Sequence, residues 1–128
     1  MKLLLDTHAL LWAIDNPKLL SEKVRQAILD ESNQLYASVV SVWEIALKVQ
    51  AGKLELPMDS SFLEENFRRL GIQSYLPLGL FHVQQISKLP PIHKDPFDRI
   101  LVAQAIVEGW ILVSKDQHFA QYPVEILW

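Results

Sequence analysis

Short apolar runs at residues 2–5, 35–37 with 39–40, 72–76, 110–113 and 124–127 are separated by longer stretches in which apolar residues recur every three or four positions. The first pattern predicts buried strands, the second amphipathic helices over 8–15, 21–32, 41–49, 61–70, 80–88 and 95–108. Punctuation supports the boundaries. Asn16-Pro17 closes the first helix, Ser21 stands as an N-cap, and Ser41 opens a helix with Gly52 beyond its end. Ser61 and Glu64 have capping-box spacing before Gly71, and Pro90-Pro91 stops the stretch from 80. Asp95-Pro96 supplies an N-cap and a first-turn proline, with Gly109 as the stop. Residues 54–56 read as a short extended piece before Pro57.

Strands alternating with helices predict an α/β fold with a parallel or mostly parallel sheet covered on both faces and joined by right-handed crossovers. In such a sheet all strands aim their carboxyl ends at one edge, where open α/β folds place their sites. Asp6 and Asp116 fall at predicted strand ends, and Glu44 and Asp98 in first turns of helices. Each acid also has a local explanation: Glu44 completes a capping box with Ser41, Asp98 suits a helix dipole, Asp6 fits a turn and Asp116 a cap. All four reach the same edge, however, and clustered carboxylates repel unless a cation holds them. The pattern therefore predicts a divalent-metal pocket acting on phosphate esters, with one ion or two.

At 128 residues and 50% hydrophobic, the chain is expected to form a single domain, 1–128, with a substantial core. The absence of cysteine removes thiolate ligands and nucleophiles, leaving oxygen and imidazole for any metal. Three apolar residues before Asp6 are too few for a signal-peptide core or a membrane span, so a soluble intracellular protein is expected. A net charge of −3 argues against nucleic acid only until metal is counted: one divalent ion brings −3 to −1, and two bring it to +1.

Residues around the acids divide by role. Arg99 is placed either to pair bidentately with a phosphate or to brace a neighbouring carboxylate. Lys48 follows Glu44 by four residues, the favourable order for a helical ion pair. Thr7 and Ser114 are positioned to hydrogen-bond the acids, and Ser41 reads as a cap. His8, His82, His93 and His118 lack any metal-ligand spacing, and only His8 neighbours a proposed site residue. Trp12, Trp43 and Trp110 read as core or interface aromatics, with no platform for stacking bases.

Asp6-Thr7-His8 followed by Ala9-Leu10-Leu11-Trp12, Ser41-Val42-Trp43-Glu44-Ile45 with Lys48, Asp95-Pro96-Phe97-Asp98-Arg99 with Ala103-Gln104-Ala105, and Ser114-Lys115-Asp116 with Phe119 form four ordered blocks. Together they resemble the PIN-domain ribonucleases, most closely the VapC-type toxins of toxin–antitoxin pairs. The resemblance covers essentially the whole chain. It implies a three-layer α/β/α sandwich, a Mg²⁺- or Mn²⁺-dependent endoribonuclease cutting RNA, frequent homodimers, and inhibition by a VapB-like antitoxin; the expected location is cytoplasmic. Asp6, Glu44, Asp98 and Asp116 match the family's acidic quartet, with Asp6, Asp98 and Asp116 as metal holders; Ser114 stands where many relatives carry Thr. The amphipathic segments 21–32 and 61–70 are available to frame an antitoxin groove. Two other functions fit the acids: another phosphohydrolase, or a module of this fold that binds RNA or protein without cutting. A response-regulator pocket fits less well, because Asp6 is followed by Thr7 and His8 rather than by a second acid.

Overall fold

The computed structural model describes residues 1–57, 61–92 and 95–128. Strand β1 (Lys2–Leu5) sends Leu3 and Leu5 to one face of the sheet and Leu4 to the other, all fully buried. Both faces are covered, so the run is continuously apolar, as in parallel sheets generally. β1 pairs in parallel with β2 (Gln34–Ser38) on one side and β4 (Ile111–Val113) on the other. β3 (Ile72–Leu76) lies beyond β2 and β5 (Ile126–Leu127) beyond β4, giving a wholly parallel order β3-β2-β1-β4-β5. The chain therefore winds outward from β1 in one direction and then returns to wind in the other.

Six α-helices among the described residues cover this sheet. α1 (Thr7–Asp15), α2 (Glu22–Leu29), α3 (Val39–Gln50) and α4 (Phe62–Leu70) contribute Ala9, Leu10, Val24, Ile45, Leu63 and Phe67 to the core on the Leu3/Leu5 face. α5 (Leu80–Ile86) and α6 (Pro96–Glu108) pack on the Leu4 face, where Leu101, Val102, Ala103 and Ala105 meet Leu112 and Phe119. The result is the expected α/β/α layering. Full burial of a side chain such as Phe67 contributes about 1.5–3 kcal/mol.

Local chemistry sets most ends as predicted. Ser21 accepts from the Val24 N–H, Asp95 from Phe97, and Gly71 and Gly109 adopt φ of 103° and 71° just past their helices. Several elements differ in extent: Val39-Val40, read with the second strand, open a helix, and the last strand is Ile126–Leu127 rather than 124–127. α3 begins at Val39, because Ser38 Oγ accepts from the Val40 N–H at 3.0 Å and makes Ser38 the N-cap; Ser41 is then inside the helix, and the expected Ser41–Glu44 capping box does not form. Ser61 likewise makes no capping hydrogen bond to α4. α2 stops at Leu29 rather than 32, since the Asp30 carboxylate takes both the backbone N–H and the hydroxyl of Ser32 into a turn that competes with the helix. α5 ends at Ile86, and 54–56 form no strand.

Candidate active site

Asp6 and Asp116 follow β1 and β4, the two adjacent strands between which the winding reverses. Diverging connections open a crevice at such a switch point, beyond the carboxyl ends of the strands. Asp6 caps α1 by accepting from the Ala9 N–H at 2.8 Å and is only 4% exposed. Asp116 caps the 3-10 helix Gln117–Gln121, accepting from the His118 N–H at 2.9 Å and from its ring Nδ1 at 2.8 Å. Ser114, at 1% exposure, joins the two acids: its hydroxyl donates to Asp6, and its oxygen accepts from the Asp116 N–H at 3.1 Å. Asp6, Asp116, His8, Trp12 and Lys115 line one cleft of about 250 Å³.

Burial pushes the Asp6 carboxyl above its ordinary range. Hydrogen bonds from Ser114 and Ala9, and the nearby His8, oppose this; Asp116 adds to it. A desolvated carboxylate with a second carboxylate facing the same cleft is electrostatically unfavourable, and a bound cation relieves both costs.

Glu44, on α3, lines a separate cleft and is tied by a hydrogen bond to Thr7, the residue after Asp6. It is 4% exposed, with Oε1 2.7 Å from the Thr7 hydroxyl and Oε2 3.1 Å from Lys48 Nζ. Thr7 Oγ1 also lies 3.0 Å from the fully buried Ser41 Oγ. A carboxylate only accepts, so the single Thr7 proton goes to Glu44 and the Ser41 hydroxyl donates to Thr7. Ser41, read from the sequence as a cap, is thus a buried part of the site's hydrogen-bond network, freed for it by the earlier start of α3. The Glu44–Lys48 pair forms as its spacing predicted.

Asp98 lies in the first turn of α6, and the start of that helix (Asp95, Pro96, Phe97) shares a second cleft with Glu44, Lys48 and Lys53. Arg99 donates through Nη2 to the Ile86 carbonyl at 3.4 Å, bracing the end of α5, while its Nε is buried without a hydrogen-bond partner among the described residues. No carboxylate among the described residues pairs with it.

The donor set is oxygen-only, as a hard divalent cation prefers. Among the described residues no three His, Cys, Asp or Glu side chains are grouped closely enough to hold an ion between them. Two carboxylates do share the Asp6 cleft, and Mg²⁺ is commonly bound by one or two carboxylates with several waters retained. The residues therefore fit a hydrated hard cation.

Sequence reasoning missed three features. His118, not only His8, adjoins a proposed site residue, through its ring contact with Asp116. His82 is buried, accepting from the Gly79 N–H through Nδ1 at 2.9 Å and donating through Nε2 to Glu108 at 3.0 Å. Trp12, read as a core or interface aromatic, lines the acidic cleft. The Gly79–His82 and Asp116–His118 spacings were visible in the sequence, whereas the His82–Glu108 contact and the place of Trp12 in the cleft depend on tertiary structure. His93 lies outside the described residues.

Comparison with known proteins agrees with this layout. A family model described as PIN domain matches residues 3–125. Ribonuclease VapC22 of Mycobacterium tuberculosis is 31% identical over 123 residues, covering 93% of this chain and 90% of its own. Among solved structures, a DNA-bound VapBC from Salmonella typhimurium superposes with a TM-score of 0.72 at 19% identity, covering 99% of this chain and 97% of the other. VapBC2 from Rickettsia felis, bound to a DNA fragment from its promoter, gives 0.71 at 13% identity, with 99% and 98% covered. These two similarities establish the shared fold. With the family model spanning residues 3–125 and a relative 31% identical over nearly the whole sequence, the chain belongs to the PIN-domain family.

Proposed function

We propose that this protein is a divalent-metal-dependent endoribonuclease that hydrolyses RNA phosphodiester bonds, and that it serves as the toxin of a VapBC-type pair. The observation that carries the reading is the meeting of Asp6 and Asp116 across the switch-point crevice, with buried Glu44 reached from Asp6's neighbour Thr7. The ribonuclease name of the 31% identical relative supports the reaction, and the VapBC neighbours support the biological role.

Asp6 and Asp116 are assigned to hold Mg²⁺ or Mn²⁺, one ion or two, with Asp98 as the third acid of the set. When bound, the cation supplies charge neutralisation at the phosphate and acidifies water. Glu44, steered by Thr7 and Lys48, orients the attacking water and helps receive its proton. The water oxygen bonds to phosphorus, the bond to the ribose oxygen breaks, and that oxygen leaves with a proton taken from solvent water. Ser114 keeps Asp6 aimed at the crevice. Arg99 is assigned to support of α5, since it donates to the Ile86 carbonyl.

An antitoxin of the VapB kind is the proposed inhibitor. A homodimer is supported by the exposed stripe Val39, Trp43 and Leu47, spaced four residues apart on α3, with Trp43 packed edge-on against Phe97. No helix among the described residues is long and apolar enough to cross a membrane, and a cytoplasmic setting is proposed with the RNA substrate.

Purified protein incubated with RNA plus Mg²⁺ or Mn²⁺ tests the chemistry. Cleavage that chelator abolishes, and that Asp6→Asn and Asp98→Asn remove while both variants stay folded, is the expected result. Binding without cleavage would instead identify a non-catalytic module. For the toxin role, expression should arrest growth and co-expression of the neighbouring antitoxin should relieve it.

A further inference from the structure

Three chemistries meet in the cleft beside the candidate active site. Asp6 and Asp116 supply acids, His8 and Trp12 supply rings, and Lys115 supplies an exposed positive charge. The His8 and Trp12 rings are 5.6 Å apart and inclined by 36°, and Lys115 Nζ lies 5.8 Å from the Trp12 ring centroid. Trp128 packs against Trp12 at 5.8 Å in an edge arrangement, bracing the indole from the opposite end of the chain. Trp12 is only partly buried although it packs against the apolar core; the rest of it borders the cleft.

We propose that this cleft is a base-stacking subsite: a nucleobase adjoining the scissile phosphate stacks in it on Trp12, with His8 beside it and Lys115 turning to the adjacent backbone phosphate. The inference rests on the ribonuclease reading above and specifies how the strand is held. A ring fixed by Trp128 gives a base a prepared surface, and stacking tolerates any base because each has a π-face. Lys115 is exposed, so its ammonium can leave the indole for a phosphate at little cost. Core packing alone explains the buried part of Trp12. It does not explain a ring that shares a cleft with two acids and carries an ammonium 5.8 Å from its centroid.

The chain has four tryptophans, so its indole N–H NMR signals are few, and Trp12→Phe assigns the one at issue. Asp98→Asn protein in Mg²⁺ is titrated with a short single-stranded RNA and with an abasic strand of the same length. The RNA should shift the Trp12 indole signal, and the abasic strand, once bound, should leave it nearly in place. In the wild-type background, Trp12→Leu should raise KM for RNA cleavage on the order of ten-fold, with Trp12→Phe recovering most of the loss. An unmoved Trp12 signal at saturating RNA, or equal shifts with both strands, overturns the subsite even if RNA is cleaved. A signal that responds to a peptide from an antitoxin and not to RNA assigns the cleft to a protein partner and also overturns it. Failure of the wild type to bind or cleave RNA would refute the ribonuclease reading itself, and the subsite with it.

Discussion

Replacing Thr7 with Val removes one hydroxyl and nearly preserves shape, so it isolates the contact that holds Glu44. The Thr7 hydroxyl donates to Glu44 Oε1 at 2.7 Å, both residues are buried, and Lys48 remains on the other carboxylate oxygen. A buried hydrogen bond to a charged group is worth about 1.5–3 kcal/mol, and the change also leaves the Ser41 hydroxyl without its acceptor. Thr7→Val should therefore destabilise the fold by about 2 kcal/mol. In a domain of this size that corresponds to roughly 6–10 °C in melting temperature. RNA cleavage should fall mainly in kcat, because Glu44 loses its orientation while the cleft lined by Asp6 and Asp116 is untouched. Thr7→Ser, which restores the hydroxyl, should recover both properties. A double-mutant cycle with Glu44→Gln, read by calorimetry, should give a coupling of at least about 1 kcal/mol, as contacting residues do. If Thr7→Val melts with the wild type and couples to nothing, the proposed control of Glu44 by Thr7 is wrong.

Asp6→Asn should stabilise the protein at neutral pH while removing cleavage. Burial raises the Asp6 carboxyl above the ordinary 3.8, so the folded state binds the proton more tightly; that stabilisation is complete below 3.8 and is lost as pH rises through the folded value. The variant's advantage, read from melting curves, should thus be largest at neutral pH and shrink in acid; a destabilised variant at pH 7 would contradict the sign. Mg²⁺ at about one hundred times its dissociation constant should stabilise the wild type by about 2.7 kcal/mol. Asp6→Asn should lose most of that gain in the same melts. Gln104→Leu should cost about 1–3 kcal/mol in denaturant unfolding, since it deprives the buried Ser38 hydroxyl of its acceptor at 2.6 Å and loosens the cap of α3.

Helix ends were legible at four positions where capping is a matter of neighbours in sequence, though not at Ser61 or at the Asp30–Ser32 turn. Ser21, Asp95, Gly71 and Gly109 act within a few residues of themselves, so their chemistry declares the boundary before any tertiary contact forms. The start of α3 was not legible in the same way. Val39-Val40 suits a strand as well as a helix, and the choice was made by Ser38, whose hydroxyl is held by Gln104 from 66 positions away. That distant bond turns Ser41 from a cap into a member of the buried network with Thr7 and Glu44.

The acids, their order, the placing of Asp6 and Asp116 after strands and that of Asp98 in a first turn were readable from the sequence alone; Glu44, expected in a first turn, lies in the second turn of α3 because that helix starts at Val39. Which of them share a cleft was decided by the strand order, which sets β4 beside β1 and so Asp116 opposite Asp6. Tertiary structure alone also brought Trp128 against Trp12 and turned Arg99 toward α5. Local hydrogen bonding and hydrophobic period are written into neighbouring residues. Contacts between distant segments exist only once burial of the core has chosen how the layers stack.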